Sequence, residues 1–95
     1  MEERILTRHP EKGKKGVRIS KAKYDLIRES IIEIMRSRGV ITFVQLAEAV
    51  NEELSGKFDG SITWYVTTVK LDLEARKVIR RVPKTSPPRL VLAPE

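Results

Sequence analysis

The spacing of apolar residues divides the chain into three helical stretches and several short extended ones. At about 100° per residue, Tyr24, Ile27, Ile31, Ile34 and Met35 share one stripe, while Asp25, Glu29, Glu33 and Arg36 point away from it. Ser20 is a good cap in front of that run and Gly39 a natural left-handed stop behind it, so a helix is predicted to about Arg38. Leu26 and Ile32 fall off the stripe and read either as scattered surface residues or as part of a self-association surface. Val40 and Ile41 form a very short strand candidate. Thr42 and Gln45 then make a T-x-x-Q capping box, which opens a second helix. Phe43, Leu46, Ala47, Val50 and Leu54 line its buried face, and Gly56, Asp59 and Gly60 mark the turn that follows.

The third helix, capped by Ser61 or Asp59, is less usual. Ile62, Val66, Val69 and Leu73 lie on one face, and Trp64 and Leu71 lie almost opposite, with Thr67, Thr68 and Ala75 around them. A surface helix needs one apolar face, so something is expected to cover the second. Arg76 and Lys77 suit the negative end of the helix dipole. Val78, Ile79 and Val82 then read as a strand, and Leu90 to Leu92 as its hairpin partner across the stiff loop PKTSPPR.

Residues 1–19 have little helical character. Ile5–Leu6 and Val17–Ile19 are short extended candidates around HPEKGKKG. Four aliphatics are wasted on a frayed tail, so the segment is read as an arm pinned to the rest of the chain. Trp64 and Leu71 are expected to be covered either by this arm, through Ile5, Leu6 or Val17, or by a second subunit.

Helix, short strand, helix, turn, helix, strand, basic loop, strand is the order of a winged helix-turn-helix domain. The segment Leu73-Glu74-Ala75-Arg76-Lys77-Val78-Ile79 resembles the L-E-x-x-G-L-I signature that ends the recognition helix in that superfamily and begins the wing, with Lys77 at the usual glycine. FDGSITWYVTTVKLDLEAR is similar to a family of small bacterial winged-helix proteins of uncharacterised function. The resemblance implies a mainly α fold with a small β-hairpin wing on a three-helix core. It divides the chain into a basic N-terminal arm, 1–19, and a winged helix-turn-helix domain, 20–95. It also implies DNA binding and transcription regulation, with the third helix in the major groove and the wing on phosphate or minor groove.

Charge changes the picture more than composition does. From Arg8 to Lys23 seven basic residues face one acid; from Tyr24 to Ala75 five face nine; from Arg76 to Arg89 six face none. Two basic ends around an acidic middle point to a polyanion, with double-stranded DNA as the first partner. The candidate phosphate contacts are Lys12, Lys14, Lys15 and Arg18 in the arm and Arg80, Arg81, Lys84 and Arg89 in the wing. Thr63, Thr67 and Lys70 are the candidate base readers, a sparse set without Arg, Asn or Gln. The alternative is a protein-interaction or homodimerisation module that buries Trp64 and Leu71 in an interface.

There is no cysteine, and the lone His9 has no orienting carboxylate apart from Glu11. Neither a metal site, a cofactor motif nor a nucleophile–base pair is evident, so no enzyme and no cofactor are expected. MEER at the start and the absence of a long apolar run predict neither a signal peptide nor a membrane span, and hence a cytoplasmic protein.

Overall fold

Three capped helices set the frame. A computed structural model describes residues 2–94. Helix α1 (Lys21–Arg38) begins where the Ser20 hydroxyl accepts the Lys23 amide at 3.3 Å. It ends at Gly39, whose φ of 75° turns the chain out while its amide still reaches the Met35 carbonyl. Helix α2 (Phe43–Leu54) opens on the reciprocal box, with Thr42 Oγ1 accepting from the Gln45 amide at 3.2 Å and Gln45 Oε1 accepting from the Thr42 amide at 3.1 Å. Ser61 caps α3 (Ile62–Ala75) through the Trp64 amide at 3.2 Å.

These helices pack pairwise around one core. Ile27, Ile31 and Met35 of α1 meet Leu46 and Val50 of α2 and Val66, Val69 and Leu73 of α3, all essentially solvent-free. A three-stranded antiparallel sheet closes one end. Strands β3 (Ile41–Thr42), β4 (Ile79–Val82) and β5 (Arg89–Leu92) lie in the order β3-β5-β4, with Ile41 opposite Leu90 and Ile79 opposite Leu92. Ile41, Ile79 and Leu90 complete the core from that sheet.

The N-terminal segment is a second sheet. Strands β1 (Arg4–Leu6) and β2 (Arg18–Ser20) pair antiparallel, with Ile5 opposite Ile19. Thr7 locks the open end, because its amide and its hydroxyl both donate to the Val17 carbonyl and its hydroxyl accepts from the Val17 amide, at 2.9, 3.0 and 2.9 Å. Gly16 lets the strands come this close, since a Cβ there would lie 1.9 Å from the Thr7 carbonyl oxygen. Ile19 is buried in the main core and Ile5 packs against it. The arm is therefore pinned by Ile5 and Ile19. Leu6 and Val17, expected to share that task, are exposed: Leu6 alternates with Ile5 along β1 and so faces the other way, and Val17 lies just outside β2.

The end of α3 also shows how a lysine replaces a glycine. The Val78 amide donates to the Leu73 carbonyl at 2.9 Å and the Lys77 amide to the Glu74 carbonyl at 3.1 Å, the paired bonds of a Schellman stop. Lys77 sits at its left-handed position with φ 66°. A side chain there costs about 1–2 kcal/mol, and the extra freedom of glycine in the unfolded chain takes back about 0.5–1. Lys77→Gly is thus expected to raise stability by about 0.5–1 kcal/mol, seen as about 3–6 °C in a thermal melt; an unchanged or lower Tm would contradict this.

Candidate nucleic-acid interface

The arm and the β4–β5 hairpin are far apart in sequence and adjacent in space. Their meeting is arranged by one buried carboxylate. Asp72 on α3 is fully buried and accepts from three donors: the Arg8 amide at 2.8 Å, Arg76 Nε shared between both oxygens at 2.9 and 3.0 Å, and the Tyr24 hydroxyl. It ties α1, α3 and the arm together at one point. The Arg76 guanidinium is held above its ordinary value, chiefly through its bond to Asp72. The Tyr24 phenol is pushed up to about 12, first by burial, then by its bond to Asp72 and the charge it faces.

That shift has a sign. Folding favours the neutral phenol, so its contribution is complete below about pH 10, the ordinary value, and is lost as pH rises through about 12. Each pH unit in that window is worth about 1.4 kcal/mol. In urea titrations the wild type is expected to exceed Tyr24→Phe by about 1.5–3 kcal/mol near neutrality. The gap should shrink by about 1.4 kcal/mol per unit above about pH 10; a constant gap would overturn the assignment.

From Arg8 the chain runs out over the C-terminal half of α3. His9, Pro10, Glu11 and Lys14 face Leu71, Glu74 and Arg81 across one hollow, and Pro10 borders a second with Lys77, Arg80 and Arg81. The arm's basic tip thus stands beside β4. The Glu11 carboxyl reports the same proximity: it is held below the ordinary value first by the bond and charge of Lys14, with Arg81 adding a weaker pull.

The candidate residues divide by what already holds them. Lys14 pairs with Glu11 at 2.6 Å, and Arg81 reaches Glu74 at 3.5 Å. Lys12, Lys15, Arg18, Arg80, Lys84 and Arg89 are exposed and, among the described residues, pair with no carboxylate. Lys70 stands elsewhere than its place on a helical wheel implies. It is 9% exposed, bonded to Glu74 at 2.8 Å, with its ammonium 5.5 Å from the centre of the Phe43 ring. Thr63 and Thr67 are exposed on the outer face of α3, but Thr63 Oγ1 accepts from Asn51 Nδ2 at 3.3 Å and the Thr67 hydroxyl donates to the Thr63 carbonyl at 3.0 Å.

Trp64 and Leu71 border a shallow cleft of about 200 Å³ whose opposite wall is the arm. Val17 is the arm aliphatic that reaches it, whereas Ile5 turns to the core and Leu6 to solvent. The cover is partial. Leu71 is half-buried, while Trp64 remains 47% exposed. The indole is braced by Tyr65, edge to face at 4.9 Å, and Tyr65 in turn by Phe58 at 5.0 Å and by the Lys23 ammonium at 5.5 Å.

Sequence reasoning passed over Asp72 and Glu74, the two carboxylates that organise this surface. One signal was available: Asp72–Arg76 and Lys70–Glu74 are i,i+4 pairs of opposite charge on a helix with apolar residues on both sides.

The chain belongs to DUF6958, a family of unknown function, whose model matches residues 4–90. That match begins at the first residue of β1, so it takes in the arm as well as the helices. No curated protein and no solved structure matches the chain. Among the described residues, no helix is long and apolar enough to cross a membrane.

Proposed function

We propose that the three helices and the β4–β5 hairpin form a winged helix-turn-helix and that the chain is a cytoplasmic nucleic-acid-binding protein of the transcription-regulator kind. Arm and wing grip phosphates of double-stranded DNA. The observation that carries this reading is the placement of the arm's tip beside the hairpin, with Lys14 across a hollow from Arg81 and Pro10 bordering Arg80, which brings two separate positive segments together. Lys12, Lys15, Arg18, Arg80, Lys84 and Arg89 supply the phosphate contacts. Base reading through α3 is slight, since Lys70 is engaged and Thr63 and Thr67 are short.

The test is fluorescence anisotropy with a labelled duplex across a salt series. About six phosphate contacts give a slope of log K on log salt of about −5. A flat salt response, or no binding at low salt, rejects the reading. The half-exposed Trp64 beside the exposed Val17 favours a second reading, a homodimer or heteromer formed through that face. Light scattering separates the two: a dimer that ignores DNA supports the interaction module.

A further inference from the structure

Trp64 lies where neither a groove-reading helix nor a packed core would leave it. The arm rests against the Trp64–Thr68–Leu71 stripe, so that stripe is not free to enter a duplex groove along its length. Among the exposed α3 residues none has the paired donors and acceptors that read a base edge. The opening between arm and helix instead has apolar walls, from Trp64, Leu71 and Val17, and a positive rim, from Arg8 and Lys15. Among the described residues neither of those two side chains pairs with a carboxylate. The indole is held in place by its edge-to-face contact with Tyr65, so presenting it costs little further ordering.

We infer that this cleft receives an unpaired nucleobase of a single-stranded nucleic acid, packed against Trp64, with the flanking phosphates on Arg8 and Lys15. An aromatic surface beside cations is the combination that binds single strands without reading sequence, because every base offers a π-face and every nucleotide a charge. The inference rests on the nucleic-acid reading above and specifies which strand form this part of the surface takes.

Trp64 is the only tryptophan, so its own fluorescence reports the event. Titration with a short oligodeoxythymidine is expected to quench it. Trp64→Leu should weaken single-strand binding about tenfold or more while duplex affinity, carried by the wing and the arm tip, changes less than about twofold. Should Trp64→Leu fold poorly, Val17→Glu offers a second variant: it places a carboxylate on the cleft wall at an exposed position and should weaken single-strand binding as much. Thymidine monophosphate is the control for a free nucleotide; quenching at the same concentration as the oligomer would overturn the assignment to a strand. Duplex binding without single-strand quenching, or single-strand affinity unmoved by either variant, would overturn the inference and leave the proposed function standing. Loss of all nucleic-acid binding by the wild type would remove both.

Discussion

Asp72→Ala should lower the unfolding free energy by about 3–5 kcal/mol, the size expected when one partner of a buried charged network is removed. The carboxylate is fully buried and its four bonds come from three separate segments. Without it the Tyr24 hydroxyl and the Arg8 amide lose their acceptor in or near the core, each at about 1–3 kcal/mol. Arg76, whose side chain is about a third exposed, can turn to water and softens the loss. Total stability for a domain this size is about 5–15 kcal/mol, so the variant sits near the edge of folding. Asp72→Asn keeps the shape but turns an amide N–H₂ toward a cation, so a smaller loss of about 2 kcal/mol is expected. Urea unfolding measures both. Hydrogen exchange at Arg8 then separates a specific latch from general weakening, because its amide should exchange near the free-chain rate even at low urea. A loss below about 1 kcal/mol with that amide still protected would show that Asp72 does not hold the arm.

The latch also marks where reading the sequence stops. Helix starts were legible because each cap is written within four residues: Ser20, the Thr42–Gln45 box and Ser61 all act on amides three positions on. The left-handed stop at Lys77 was implied only by the resemblance, which puts that residue at the signature's usual glycine. Asp72 was not, since its partners lie 64 residues back at Arg8 and 48 back at Tyr24. On a helical wheel it is one acid between two leucines. Lys70 shows the converse: its position faces outward, but Glu74, one turn on along the same stripe, and Phe43 of α2 draw it in. For the arm, four aliphatics announced attachment, but only Ile5 and Ile19 face the core: alternation turns Leu6 away from Ile5, and Val17, before β2, lies at the cleft with Trp64 and Leu71. The second apolar face of α3 was legible as a stripe. How much of it is covered depended on the path the arm takes after Arg8, and no local pattern encodes that path.

Reversing Arg80 and Lys84 together should weaken duplex binding about 60- to 100-fold at about 0.1 M salt. Each phosphate contact contributes about 0.9 log unit there, because about 0.9 counterion is released per contact against a tenfold dilution from 1 M. Two lost contacts therefore account for about 1.8 log units, and the salt slope should fall by about 2. Arg80 and Lys84 suit the test because both are exposed and, among the described residues, neither pairs with a carboxylate, so the fold is not disturbed. Arg81 is less suitable, as Arg81→Glu would set a second carboxylate against Glu74. Lys84 has φ 61°, which aspartate tolerates better than most side chains, so the pair is Arg80→Glu with Lys84→Asp. Lys57→Glu, in the α2–α3 turn, changes net charge outside the arm and the β4–β5 hairpin. If it weakens binding as strongly per charge as the double variant, attraction comes from net charge alone and the shared surface of arm and β4–β5 hairpin is not where DNA lies. If Lys57→Glu changes little and the double variant loses both affinity and salt slope, the phosphates sit on β4 and its loop, alongside the arm tip that Asp72 holds there.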